Sequence, residues 1–292
     1  MKKIPVSIVI ATLGDKKVLK VINYLNKNKI CKVSEIILSI PKNKKNHLEQ
    51  LVSRYGNVKL VGVNRKSQVH QRIQGFKHAK ENQVLQLDDD IFINIKSIKI
   101  LIKRVTQSAS KKCFAPIYKD FNGHYLHKNK NTNYNKAHLI MMLLLFGSIR
   151  EIKKIGSFNN ALVYYGGLSN NTISPYLQVD WLLGGCIIHK KRNLILRNYF
   201  PYDGKSFFED LIHSIKMKNN GIKLYIDKEA YVLCKREDSL NNFKQFKSFI
   251  NGLKIFIELS NYNFYDKFRK FYLFILYQYI KIFIKQFKKI HI

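Results

Sequence analysis

Four short runs rich in branched apolar residues, VSIVIA (6–11), EIILSI (35–40), VKLVGV (58–63) and VLQLD (84–88), recur early in the chain, each followed by a stretch with helical spacing. After the first run come Gly14 and Asp15, then Leu19, Ile22 and Leu25 on one helical face. Near-continuous apolar strands are buried on both faces, and their alternation with helices predicts an α/β fold with a doubly wound, mostly parallel sheet. In such sheets ligands sit beyond the carboxyl ends of the strands, near the switch in strand order. The fourth run ends in LDDD, which places Asp88, Asp89 and Asp90 at one of those ends.

Three adjacent carboxylates repel one another, and each raises the pKa of its neighbours unless a cation or donors compensate. Side chains at i and i+2 of a strand point the same way, so Asp88 and Asp90 can converge on one site while Asp89 points elsewhere. Hard Mg²⁺ or Mn²⁺ suits such oxygens together with the phosphate oxygens of a ligand. The alternative is that Asp90 caps the following helix and its neighbours are solvated. Gln68 and Arg72 lie four apart on the helix after the third strand, placed either to hold a diphosphate or to form a solvated basic face. Glu209 and Asp210 head the helix in FFEDLIHSIKMKNNG, which Gly221 ends. One of them can serve as a general base beside Phe207 and Phe208, although acids also suit a helix N-terminus for the macrodipole alone. QVDWLLGGCIIHKKR (178–192) predicts a strand entered through the tight pair Gly184 and Gly185 after Trp181.

Lysines and arginines outnumber acids 52 to 19, a net charge of +33 spread over the whole chain. Such charge implies anionic partners: nucleotide phosphates, an acidic membrane face or nucleic acid. An A·T-rich genome would also enrich lysine, and no recognised nucleic-acid motif is present, so no specific nucleic-acid partner is expected. Cys31, Cys113, Cys186 and Cys234 lack metal or disulfide spacing and predict reduced, cytosolic thiols. The N-terminus lacks a signal-peptide pattern. The apolar run 139–146 is too short for a bilayer and predicts a buried helix, or a lid facing acceptor or membrane. From about residue 236 the chain predicts a helical appendage, giving a catalytic domain over 1–235 and a tail over 236–292. In residues 265–289, lysines 267, 270, 281, 285 and 288 recur on one face with aromatics and isoleucines elsewhere, as in a basic helix lying on an anionic membrane or packing its aromatics on the catalytic domain.

Taken in order, VSIVIATLGD, QVHQRIQGF, LDDDI, VDWLLGG, FFED and GIKLYI resemble glycosyltransferase family 2 with the GT-A fold over roughly residues 4–235. The resemblance implies an inverting transfer from a nucleoside-diphosphate sugar. Asp88 and Asp90 match the D-x-D pair, the first carboxylate meeting the nucleotide-sugar and the last binding the metal, with Asp88 able to share it. Thr12, Asp15, Gln68, Arg72 and Asp89 would face the nucleotide or diphosphate. Asp210 matches the base, positioned with the acceptor by Glu209, and Trp181, Gly184 and Gly185 match the segment lining the sugar and acceptor side. Two departures stand out. Where many members carry an acid after the second strand, this chain has Ser39 and Pro41. Where a metal-site histidine often ends the strand after the ED helix, it has Cys234, and His213 is a possible substitute.

The expectation is a metal-dependent glycosyltransferase at the cytoplasmic membrane face, acting on a lipid-linked or cell-envelope glycan. A nucleotidyltransferase on a related sheet is the alternative enzyme, disfavoured by the lack of a glycine-rich, lysine-containing phosphate loop. A protein that only binds nucleic acid or anionic surfaces is the non-enzymatic one.

Overall fold

The computed structural model describes residues 2–108, 111–126, 140, 143–145, 156–158, 174–235 and 243–290. The first half follows the expected alternation: β1 (Lys2–Ala11), α1 (Lys16–Asn26), β2 (Cys31–Pro41), α2 (Lys45–Val52), β3 (Val58–Val63), α3 (Gln68–Lys77) and β4 (Gln83–Asp88). Then come a two-residue β5 (Phe92–Ile93), α4 (Ile95–Gln107), β6 (Lys112–Lys119), β7 (Tyr176–Val179), β8 (Cys186–Lys190), α5 (Glu209–Asn219), β9 (Lys223–Leu233), α6 (Phe246–Leu259) and α7 (Phe264–Ile290). The strands form one sheet in the order β3-β2-β1-β4-β8-β6-β9-β5, with β7 also paired to β9. Parallel ladders make up most of the paired length, and antiparallel pairing enters where β8 inserts between β4 and β6.

Alternate residues explain the two helical layers. Ile8, Ile10, Ile36 and Leu38 join Val18, Ile22 and Leu25 of α1 and Ile98 and Leu101 of α4 in one cluster, while Val9 and Ile37 join Phe76 of α3 in another. The strands are therefore buried on both sides, each fully enclosed side chain contributing about 1.5–3 kcal/mol. Because the chain passes from β3 at one edge to β4 on the far side of β1, the strand order switches between β1 and β4. Thr12 and Asp88 to Asp90 lie at the carboxyl ends flanking that switch.

Several expectations change here. Helix α4 is capped by Asn94, whose side chain accepts from the Ser97 N–H at 2.8 Å, so Asp90 is not its cap. KCFAPIYK forms β6, and Pro116 is accommodated where the register with β9 shifts. The run 139–146 lies mostly outside the described residues, although Leu145 is buried in the cluster around α5 and α6. None of the four cysteines is disulfide-bonded, and all are buried.

The C-terminal helices share a core with the site-bearing part of the chain. Phe249, Leu253 and Phe256 of α6 and Phe274 and Ile282 of α7 cluster with Leu211, Ile212 and Ile215 of α5 and with Trp181. Lys270 is not on a solvated basic face: it is 4% exposed, with Nζ 4.0 Å from the Tyr262 ring centre. The opposite side of α7 exposes Tyr265, Phe268, Tyr272, Leu276, Tyr279 and Phe283, spaced three or four apart as one stripe. The side chains of Lys285 and Lys288 lie outside the described residues. Among the described residues no helix is long and apolar enough to cross a membrane.

Candidate active site

Most of the predicted residues line one cleft of about 540 Å³, among them Gln68, Asp88, Asp90, Trp181, Gly184, Gly185, Glu209 and Asp210, together with Cys234; Thr12, Asp15, Arg72 and Asp89 do not line it. Its floor is held by α3. Gln71 donates from Nε2 to the carbonyls of Thr12 (2.7 Å) and Ser39 (2.8 Å), tying the ends of β1 and β2 together. One residue on, Arg72 is 2% exposed and splits its guanidinium between two acids, Nη1 to Glu209 at 2.6 Å and Nη2 to Asp88 at 3.1 Å. Thus Arg72 does not form a solvated basic face, and both of its paired carboxylates belong to the site. A single fork joins α3, the end of β4 and the start of α5.

Asp89 turns away from its neighbours and accepts a 2.5 Å hydrogen bond from Thr12 Oγ1, as the strand geometry predicts. Thr12 therefore reaches the site by holding Asp89. Asp15 is exposed at the start of α1, makes no side-chain capping bond and does not line the cleft. The glycine pair supplies close approach. Asp88 N–H donates to the Gly185 carbonyl at 2.8 Å, and a side chain on Gly184 would collide with the Glu209 carboxylate. Two acid clusters distant in sequence meet across a backbone without side chains.

The sequence FFED reaches this position through a strained turn. Phe208, just before α5, adopts φ 61° and ψ 12°, a left-handed conformation that costs a bulky residue about 1–3 kcal/mol. Its ring is gripped by Phe249 (centroids 5.0 Å apart), Phe256 (6.3 Å) and Phe274 (6.4 Å) of the two C-terminal helices. Those helices thereby fix where Glu209 and Asp210 enter the cleft.

Burial pushes the Asp88 carboxyl up to about 7 despite the Arg72 charge, with Glu209, Asp90 and Asp89 adding to the rise. Burial raises Asp89 too, against the Thr12 hydrogen bond. Asp210 is also pushed up to about 7, by burial and then by Glu209. Burial pulls the Arg72 guanidinium down, but Glu209 and Asp88 outweigh it and keep it charged. The result is a concentration of carboxylate oxygens short of positive charge.

That shortage fits a divalent cation. Among the described residues no set of three His, Cys, Asp or Glu side chains converges to hold a metal alone. Asp88 and Asp90 nonetheless line the same cleft, and two carboxylates completed by ligand phosphates and water suit Mg²⁺ or Mn²⁺. Cys234 lines the same cleft. His213 does not substitute for a histidine there: it is 1% exposed, stacked on Tyr199 with centroids 5.5 Å apart, and burial with the His189 and Arg72 charges holds its pKa well below the usual range.

Three further lining residues, Phe249, Phe274 and Gln278, come from α6 and α7. Sequence reasoning missed them. Phe274 and Gln278 stand one turn apart on α7, but nothing in an amphipathic pattern reveals which neighbour a face meets. Gln71 was the more findable omission, since it sits inside the motif that supplies Gln68 and Arg72.

No protein-family description matches the sequence, and no curated protein is similar to it in sequence. Solved structures do match. The crystal structure of GalNAc-T7 with UDP, GalNAc and Mn²⁺ is similar with a TM-score of 0.58 at 14% identity, over 86% of this chain and 48% of the other. That of S. aureus TarS in complex with UDP-GlcNAc gives 0.51 at 15% identity, over 93% and 70%. The fold is that of the GT-A glycosyltransferases. This chain spans about half the length of the GalNAc-T7 chain.

Proposed function

We propose that the protein is a metal-dependent inverting glycosyltransferase, moving a sugar from a nucleoside-diphosphate sugar to a hydroxyl of a lipid-linked or cell-envelope glycan. The observation that carries this reading is the meeting of Asp88 and Asp90 with Asp210 in one cleft, at the strand switch of a GT-A sheet. Both structural neighbours hold a uridine nucleotide, and one also holds Mn²⁺, which supports a nucleotide-sugar donor and a divalent ion.

Asp88 and Asp90 would hold the Mg²⁺ or Mn²⁺ that neutralises charge on the departing diphosphate. Asp89, held by Thr12, would shape the nucleotide end, and Gln68 lines the cleft. Asp210 takes the acceptor hydroxyl proton as the acceptor oxygen bonds the anomeric carbon and the bond to the diphosphate oxygen breaks. General base catalysis of this kind contributes about 10²–10⁴ in rate. Arg72 holds Glu209 and Asp88 in register instead of reaching for the diphosphate itself.

The exposed stripe of α7 supports peripheral attachment to an anionic membrane, with the site on its cytoplasmic side. A panel of nucleotide-sugars with Mg²⁺ or Mn²⁺ tests the reading by the product released. Nucleoside diphosphate, lost in Asp210→Asn, is expected. Pyrophosphate would favour a nucleotidyltransferase, and no turnover with any donor would sink the proposal.

A further inference from the structure

A nucleoside diphosphate in the cleft needs more positive charge than Arg72 and a metal ion supply. Among the described lining residues, four are acids, Asp88, Asp90, Glu209 and Asp210, and two are cations, Lys205 and Lys235. The Arg72 guanidinium does not line the cleft and is engaged by Glu209 at 2.6 Å and Asp88 at 3.1 Å. Asp88 and Asp90 themselves balance the charge of a divalent ion they would hold. The diphosphate gains negative charge as its bond to the sugar breaks, so a further cation beside Asp90 would act most strongly in the transition state.

The backbone sets the two lysines in different surroundings. Leu233, the last residue of β9, pairs with Phe92 of β5, two residues after Asp90. Just beyond it, the Cys234 N–H donates to the Lys119 carbonyl at the end of β6 at 3.0 Å. These contacts anchor the end of β9 next to the segment bearing Asp90, and Lys235 is the following residue. It is exposed, so a fixed backbone carries a compact charge on a flexible four-carbon stem. Lys205 comes instead from the turn leading to Glu209 and Asp210. Its carbonyl accepts from Ser248 Oγ at 2.6 Å, and its Nζ lies 5.2 Å from the centre of the Phe207 ring. The Lys205 ammonium is thus engaged in the segment that carries the proposed base, whereas Lys235 is delivered by the strand that borders the aspartates of β4.

We infer that Lys235 is the cation that binds the donor's diphosphate. The inference rests on the transferase reading above for the donor, and it fills a role that Arg72, tied to two acids, does not. The electron pair of the bond between sugar and diphosphate passes to the diphosphate oxygen, and the Lys235 ammonium stabilises the charge that collects there without giving up a proton. A lysine suits this task, because a point charge adapts to phosphate oxygens that move as the group departs.

Calorimetry on the full chain with Mn²⁺ separates this role from the protein's overall positive charge. UDP, GDP, CDP and ADP are each titrated beside the corresponding monophosphate, and the pair with the tightest diphosphate is carried forward. Lys235→Met should weaken that diphosphate about 10–100-fold, the worth of a charged hydrogen bond, and its monophosphate about twofold or less. Lys235→Arg should restore most of the loss. Lys103→Met removes the same charge from an exposed position on α4 and should change both nucleotides by no more than about twofold, since salt screens a distant charge. With the matching nucleotide-sugar, Lys235→Met should lower kcat as well as donor affinity. A diphosphate loss no greater in Lys235→Met than in Lys103→Met, or equal weakening of diphosphate and monophosphate, would overturn the inference and leave the transferase reading standing. Diphosphate binding that depends on Lys235, without sugar transfer from any donor, would overturn the transferase reading and leave the diphosphate site. Absence of binding by every nucleoside diphosphate would overturn both.

Discussion

On the sheet side of the cleft, functional groups hang from strand ends or first helical turns and are fixed by directed polar contacts: Gln71 to two carbonyls, Thr12 to Asp89, Arg72 to two carboxylates. On the α6–α7 side the contacts are rings against rings, Phe208 with Phe249, Phe256 and Phe274. The core follows the same division, with isoleucine, valine and leucine dominating around the sheet and phenylalanine prominent around α5 to α7. Hydrogen bonds and ion pairs orient individual charged groups, whereas ring contacts position whole segments through shape and buried area. The first orients the acids of the cleft, and the second holds the turn from which Glu209 and Asp210 emerge.

The sharpest way to break this comparison is at the residue proposed as the base. Asp210→Asn should lower transfer by about 10²–10⁴ while donor affinity, measured by calorimetry with Mn²⁺, changes little. Loss of donor binding instead would make Asp210 a donor-holding residue and not the base. Next in size, Arg72→Ala strands two carboxylates, one of them buried, and should cost about 3–5 kcal/mol in chemical denaturation. Arg72→Lys keeps charge but loses the fork, so it should recover part of that stability with less of the rate.

A matched pair of glycines sharpens the contrast. Gly184→Ala meets the Glu209 carboxylate and Gly252→Ala on α6 meets the Phe207 carbonyl, so each should cost about 1–3 kcal/mol of stability. If the C-terminal helices position the catalytic pair, Gly252→Ala will also lower kcat. A loss of melting temperature with kcat intact would show the aromatic wall to be scaffolding only.

The pH profile gives a smaller effect. Asp210 must be ionised to accept a proton and its pKa is pushed up to about 7, so activity should rise with pH through 7 and fall roughly tenfold per unit below it. In Asp210→Asn the remaining activity should lose that limb. Smallest of all, Lys281→Glu on exposed α7 should weaken binding to vesicles containing anionic lipid by about 1–2 kcal/mol, an effect that added salt erases.

Much of the sheet side was legible because its determinants are local. Apolar runs, their spacing and the residues that end them identify strands, helices and the positions where Asp88, Asp90 and Asp210 emerge. Pairing partners were not legible. Arg72 sits in a helix whose sequence permits a solvated basic face, and only the arrival of Glu209 from far along the chain shows that it is enclosed. Lys270 taught the same lesson in reverse, since a repeating lysine pattern on α7 contained one member turned inward over Tyr262. Gln278 and Phe274 were invisible because helical periodicity gives a face its direction but not its neighbour.

The Arg72 fork also orders events in time. Its two partners lie 16 and 137 residues further along the chain. Four parallel strands and their helices can gather as soon as residues up to about 108 have left the ribosome, but in that intermediate the guanidinium has only Asp88. Closing the much longer loop to Glu209 is favoured only after the later chain has folded back over the sheet. The complete pairing of Arg72 is therefore a late product of assembly, and a chain truncated before α5 would keep Asp88 but lack both Glu209 and Asp210.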